Sequence, residues 1–453
     1  MSNFTSVPHS HLNINIAAHV NKMIEELPPI IEPLELPKNP GEYGYSKHAS
    51  KAEKALIQLK DTTSSPADLN DSVLLQITTH TDNSSPWTTP NAATVALSLL
   101  TSLPADRTSH LIIDTILQGY LRPIFSQATA KVTASGRPSQ YPEQDAAASA
   151  DRKGWEEPAW KKAGLMSIPT FAWAVEAAES DLIQANWPLF TPVLLALLED
   201  RETLVRKKGL DILITFIEKI PPKILTSTGI GTVFQEAVFP TLLYLPTLTP
   251  EAESVTLLRP AYAALLALAK ADEDQQSLRR RKQLDQLLRD GVFAAYHHSS
   301  EHLRIVEVLM DATSEIVAAL SIYAAKHLQN VLRMISSVMT DPFATAHSPA
   351  ILAACKTLNT CTRECWPRMT EERSGEVMRM LIMCWLNIRS TTTGPTLEAQ
   401  AAHAIESELK TTSKLLFAIS KQNSQVTPPE LLEIIQKEPQ LKQLFPIAET
   451  SST

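Results

Sequence analysis

Glycine is scarce in this chain of 453 residues: it has 12, about 3% against a usual ~7%. Sheet-rich proteins and nucleotide-binding α/β folds need glycine for hairpins and phosphate loops, so its scarcity points to an all-helical protein. Cysteine is equally sparse, with four residues, too few for a disulfide framework and in keeping with a reducing compartment. A basic excess is missing too. The formal net charge is −8 and the pI near 5.9, the opposite of a body built to bind DNA or RNA. No uninterrupted apolar run reaches the ~18 residues of a membrane span, and the first twenty residues lack the basic and apolar regions of a secretory signal. These absences predict a soluble, intracellular chain. The hydrophobic share of 44% is enough for a long core and excludes disorder of the whole.

Catalytic signatures are missing as well. Nucleophile elbow, kinase and hydrolase motifs do not occur. STGIGT carries Gly229 and Gly231, but no strand precedes it and no lysine follows, so it reads as a turn between helices. His298 and His302 are four apart, a spacing that can share a metal on one helix face. Ser299 or Ser300 reads as an N-cap, which puts His298 outside the helix and His302 in its first turn; no third ligand is near. Cys355, Cys361 and Cys365 cluster without a paired Cys-x-x-Cys, and with Cys384 they read as small buried hydrophobes. Arg279-Arg280-Arg281-Lys282 is the one basic cluster, a localisation signal, an acidic partner's contact or, flanked by Asp272, Glu273, Asp274 and Asp285, a solvated helix face. Neither a cofactor nor a metal is expected.

What is present is helical periodicity broken by proline, which occurs 31 times. Residues 1–128 read as an irregular N-terminal helical region, with helices at His11–Glu26, Lys47–Lys60, Asp71–His80, Asn91–Ser102 and Thr108–Ala128. Residues 129–154, rich in Ala, Ser, Gln and Pro, read as a flexible loop or linker. Residues 155–389 read as a repeat array, 396–446 as a C-terminal helical cap after the break STTTGPT, and 447–453 as a tail. Within the array, helices are expected at Pro169–Ala185, Val233–Leu245, Glu253–Ala271, Asp274–Arg289, Glu301–Leu320, Ile322–Thr340, Pro349–Trp366 and Thr370–Asn387. Thr396–Gln422 and Pro428–Phe445 complete the set.

The stretch Trp187–Pro222 organises the array. It reads as two antiparallel helices joined by a short charged turn. Pro192 lies inside the first and should kink it. Asp200 stands where it can cap the second. Val205, Gly209, Ile212, Leu213, Phe216 and Ile220 form that helix's apolar face, leaving Arg206, Lys207, Asp211 and Glu218 mostly on the wet side. A mid-helix glycine costs ~1 kcal/mol against alanine, so Gly209 implies close approach of the two helices. Pro192, Asp200, Val205, Arg206 and Gly209 in this order resemble a HEAT repeat. Pro240 repeats the proline 48 residues later, near the ~40–47 residue period of such arrays. The expected fold is therefore all-α, an α-solenoid of antiparallel helix pairs (HEAT/armadillo-like).

Further residues narrow the resemblance: Pro192, Leu198, Asp200, Arg206, Lys208 and Gly209, then Thr228, Gly229, Phe234, Phe239, Pro240, Leu245, Pro246, Thr249, Pro250 and Tyr262. From about Trp155 to Ala271 the chain resembles the Tel-two-interacting protein two family, whose members are the smallest subunits of the TTT co-chaperone complex. The resemblance implies a scaffold without catalysis, nucleotide or other cofactor. Its implied partners are two larger helical-repeat subunits and, indirectly, PI3-kinase-related kinases, the ninety-kilodalton heat-shock chaperone and RuvB-like ATPases. The kinases include the TOR and DNA-damage checkpoint enzymes. The implied location is cytoplasmic and nuclear. Pro192, Asp200, Val205, Arg206, Gly209 and Pro240 would be structural. Trp155 and Trp160, with Lys207 and Lys208, are candidates for partner contact, although the two tryptophans would equally suit burial under the following helix. The competing readings are another HEAT adaptor, for nuclear transport or a phosphatase, and a helical enzyme without a recognisable motif.

Overall fold

Apolar residues recurring every three to four positions, punctuated by proline, dictate helices, and helices account for all the regular structure among the described residues. The computed structural model describes residues 34, 44–63, 65–125, 131–133, 136–138, 161, 164–272, 274, 276–389, 398–422 and 429–445. Its contacts divide the chain into two units, Met1–Ala237 and Val238–Thr453. The fold is all-α, as expected. The expected helix at His11–Glu26, the break STTTGPT and the tail lie outside the described residues.

In the first unit α1 (Gly44–Thr62) packs on α3 (Pro90–Thr101), and α2 (Asp71–Thr78) packs on α3 as well. Asn70 and Thr89 start α2 and α3 by accepting hydrogen bonds from the backbone N–H groups of Ser72 and Ala92. The helix α4 (Ala105–His110) runs on through a π-helical stretch, Leu111–Leu121, to a last turn at Arg122–Phe125. Leu111, Ile112, Ile116, Tyr120 and Leu121 are all buried along it, as their spacing requires. Next come α5 (Ser167–Ala177), α6 (Ser180–Leu198), α7 (Thr203–Lys219), α8 (Pro222–Ser227) and α9 (Ile230–Val238).

The helix expected over Pro169–Ala185 is two elements. The chain turns extended at Ala178 and Glu179, and α6 starts afresh at Ser180. The reason is a capping group from far along the chain: the Lys219 ammonium at the end of α7 donates to the carbonyls of Val175 (3.1 Å), Glu176 and Ala178 (3.3 Å). A cation on the last carbonyls of a helix satisfies acceptors that have no partner within it.

In the second unit α10 (Glu251–Lys270) packs on α12 (Leu303–Leu320), α12 on α14 (Ser348–Glu364), and α14 on α16 (Ala399–Gln422). Between them in sequence lie α11 (Leu278–Gln286), α13 (Leu328–Met339) and α15 (Glu371–Arg389). α13 packs on α14 and α15, and α15 on α16. Alternate helices thus lie side by side, which is how stacked helix pairs bury a continuous core. α17 (Pro429–Lys437) follows, with a 3₁₀ turn at Pro439–Gln443 where the sequence predicts continuous helix.

Proline explains one further departure. Val233–Leu245 is expected as one helix, yet α9 ends at Val238 and Phe239–Leu243 is a 3₁₀ segment. Pro240 has no N–H to continue the α-helical ladder, and it stands exposed. Ile322–Thr340 likewise opens as 3₁₀ helix at Ser321–His327 before α13 begins.

Among the described residues two helices could cross a membrane by length and composition alone, Ser180–Leu198 and Glu251–Lys270. More than half of each window, 61% and 56%, is buried inside the protein.

Candidate functional site

The α6–α7 pair is built around an aromatic column. Phe171 of α5, Phe190 of α6, Phe216 of α7 and Phe234 of α9 stack in sequence with ring centroids 6.2, 5.7 and 6.0 Å apart, and all four are fully buried. Tilted and edge-on rings at such distances add attraction beyond the area they bury.

Gly209 is where the two helices meet. A β-carbon there would lie 2.9 Å from Leu197 Cβ and 3.0 Å from the Leu197 carbonyl carbon. Pro192 sits buried in α6, which continues through both Pro188 and Pro192. With no N–H, Pro192 cannot bond the Pro188 carbonyl one turn back. The backbone of Gly136, at φ +77°, comes up against that carbonyl instead. Val132, buried, and Pro138 form an antiparallel bridge on either side of this turn, and Lys131 pairs with Glu199 at 2.8 Å.

The turn between α6 and α7 corrects two expectations. Asp200 is not the cap of α7; that position is Glu202. Asp200 instead accepts the Glu202 N–H at 2.8 Å and pairs with Lys161 at 3.0 Å, so it closes the turn itself. Burial works against the charge on Lys161, but its bonds to Glu202 and Asp200 prevail and hold its pKa above the ordinary value. Arg206 is not on the wet side. It is buried, and its Nε donates to the Asp200 carbonyl at 3.0 Å. Helical periodicity places it at the edge of the apolar face, and the turn's unmet carbonyl draws it in.

Of the residues considered for partner contact, Lys207 pairs with Asp211 at 2.5 Å, and Lys208 reaches back 126 residues to Asp82 at 2.7 Å and Ser84 at 2.8 Å. Burial tends to raise the Asp82 pKa, but the bonds from Lys208 and Ser84 hold it low. The Lys208 charge is therefore committed within the chain. Trp155 and Trp160 lie outside the described residues. Val205 is buried in the α7 core.

The other motifs resolve into packing. His298 belongs to a helical turn, Ala294–Ser299, and His302 is the N-cap position of α12, so Ser299 caps nothing and the two histidines do not share a helix face. Among the described residues no group of three or more His, Cys, Asp or Glu side chains is arranged for a metal. All four cysteines are buried. A hydrogen bond with Cys384 and then burial raise the Cys355 thiol, and burial pushes Cys365 up to about 11. Such thiols stay protonated and unreactive. The basic cluster is only partly a solvated face: Arg280 is buried with Nη1 donating to the Asp272 carbonyl at 3.1 Å, and the Arg281 guanidinium lies 4.2 Å over the Tyr323 ring. Gly229, at φ +77°, forms the turn before α9.

Paired helices, capped turns and a core of packed side chains define a helical scaffold of the kind that works by contact with other proteins. The chain belongs to the Tti2 family: that family's model matches residues 73–346, more than half of its length. Membership carries the family's general role as a scaffold component of the TTT co-chaperone complex, a family not known for catalysis.

Proposed function

We propose that this chain is the smallest, non-catalytic subunit of the TTT complex. It holds two larger helical-repeat subunits and, with the ninety-kilodalton heat-shock chaperone and RuvB-like ATPases, supports the folding, stability and assembly of PI3-kinase-related kinases. TOR and the DNA-damage checkpoint kinases are the clients, reached in both cytoplasm and nucleus. The observation that carries this reading is the family match over residues 73–346, which spans the α6–α7 pair of the first unit and α10 to α13 of the second. Mechanistically, stacked pairs offer a large surface that is already ordered, so little conformational entropy is lost on binding.

The test is purification of the full chain from its native cell, followed by mass spectrometry. Two large helical-repeat proteins in near-equal amount, with PI3-kinase-related kinases at a lower level, are the expected result. Transport cargo or phosphatase subunits in their place would reject the proposal.

A further inference from the structure

We infer that the face of α1 carrying Lys47, Lys51 and Lys54 docks an acidic helical segment of a partner protein. Together with Ser46 and Ser50 these lysines line a surface cavity of about 410 Å³. The inference rests on reading the chain as a binding subunit, and it adds where one partner binds and by what chemistry.

The helix sorts its residues sharply. His48, Ala49, Ala52, Ala55, Leu56 and Leu59 are buried, whereas Lys47, Lys51 and Lys54 are exposed. Spacing of four and then three residues puts the three ammonium groups on one side over two turns, about 10 Å at 1.5 Å per residue. No carboxylate of the described residues pairs with any of them. The acid within this stretch, Glu53, is turned to the next helix, where it accepts hydrogen bonds from Thr89 Oγ1 at 2.8 Å and Asn91 Nδ2 at 2.6 Å. Those donors are neutral and keep Glu53 ionised, but they hold its carboxylate against the next helix, where it forms no ion pair with the lysines. Like charges one turn apart destabilise a helix, and a partner's carboxylates would relieve that repulsion. Ile57, 37% exposed, continues the face by one more turn and offers an apolar contact.

Charge also selects the partner's class. A nucleic acid or an anionic membrane extends far beyond three lysines and would meet the rest of a chain whose net charge is −8. A short segment with carboxylates at matching helical spacing meets only the local positive field, which screening confines to about 8 Å at physiological ionic strength.

The experiment measures capture of the two larger subunits by the full chain at low and high salt. Wild type is compared with the triple variant Lys47→Glu/Lys51→Glu/Lys54→Glu and with its Gln counterpart, circular dichroism confirming that both are folded. The charge-reversed variant should lose roughly tenfold in affinity and the Gln variant less, with a weaker salt dependence than wild type. Unchanged affinity overturns the docking face and leaves the proposed function standing. If wild type captures neither subunit, the proposed function fails, and a helical peptide with glutamates at matching spacing decides the face on its own. Salt-sensitive binding of that peptide to wild type and not to the reversed variant supports it; no binding overturns it. Tighter binding of anionic vesicles or duplex DNA through the same lysines also overturns the assignment to a protein partner.

Discussion

Gly209 and Leu197 bring α6 and α7 into backbone contact, with 2.9 Å left between Leu197 Cβ and the place a β-carbon at 209 would occupy. Alanine there would gain up to ~1 kcal/mol in helix propensity but must push against Leu197. Overpacking costs ~1–3 kcal/mol, so the contact outweighs the propensity. Gly209→Ala should lower the thermal midpoint slightly and Gly209→Phe far more. A midpoint unchanged in the Phe variant would show that the helices do not meet at this position.

Gly136 and Gly229 share φ +77° but differ in surroundings. A β-carbon at 136 would come within 1.6 Å of the Pro188 carbonyl oxygen, whereas at 229 nothing lies within 4 Å. Gly229→Ala should therefore show only the ~1–2 kcal/mol of left-handed backbone strain. Gly136→Ala adds displacement of the whole turn from α6, for a loss of ~2–4 kcal/mol or detachment of the turn. Chemical denaturation and limited proteolysis between 126 and 160 would read the difference, and equal losses at the two sites would argue against the contact.

Arg206 and Lys207 are neighbours with opposite fates. Arg206→Ala leaves the Asp200 carbonyl without its donor in a buried turn and should cost ~1–3 kcal/mol. Lys207→Ala removes one half-exposed ion pair and should stay within ~0.5 kcal/mol. Equilibrium unfolding in urea measures both.

Phe216 stands in the middle of the aromatic column, against Phe190 and Phe234. Phe216→Ala should cost ~3–5 kcal/mol, the usual range for a large side chain removed from a close-packed core. A loss below ~1 kcal/mol would mean that the column collapses into the space.

His80 makes stability depend on pH. It is fully buried, with Nδ1 3.2 Å from Thr88 Oγ1 and Nε2 3.4 Å from the Leu34 carbonyl. Burial lowers its pKa from 6.5 to about 4; the Leu34 bond opposes the shift, and neighbouring His48 adds to it. The unfolded chain takes up a proton near pH 6.5, the folded chain only near pH 4. Stability is therefore full above pH 6.5 and falls as the pH drops toward 4, by up to about 3 kcal/mol. Denaturation curves at pH 7.5 and 5 should show the loss, and His80→Gln should flatten it. A slope unchanged by that substitution would place the titrating group elsewhere.

Most of the helices were legible from residue order because their causes are local. Apolar spacing marked α1, α2, α3 and α14 to within a few residues, and Gly209 announced a close approach because a glycine within an apolar helix needs a reason. The family resemblance was likewise carried by residues of α6, α7 and the loop after Pro240. Two misplacements came from distant partners and one from the adjoining turn. α5 ends at Ala177 because Lys219, more than forty residues on, binds its carbonyls. Arg206 is buried because a turn carbonyl lay within its reach, which a periodicity argument does not weigh. Lys208 looked free until Asp82 was beside it.

The sequence by itself determined the helical class and the family, since periodicity, proline placement and a string of matching residues need no knowledge of what lies across the core. Tertiary structure alone decided which charges are spent inside the chain and which remain exposed. An ion pair 126 residues long leaves no trace in local pattern, yet it separates Lys208, held by Asp82, from Lys47, Lys51 and Lys54, which face solvent together.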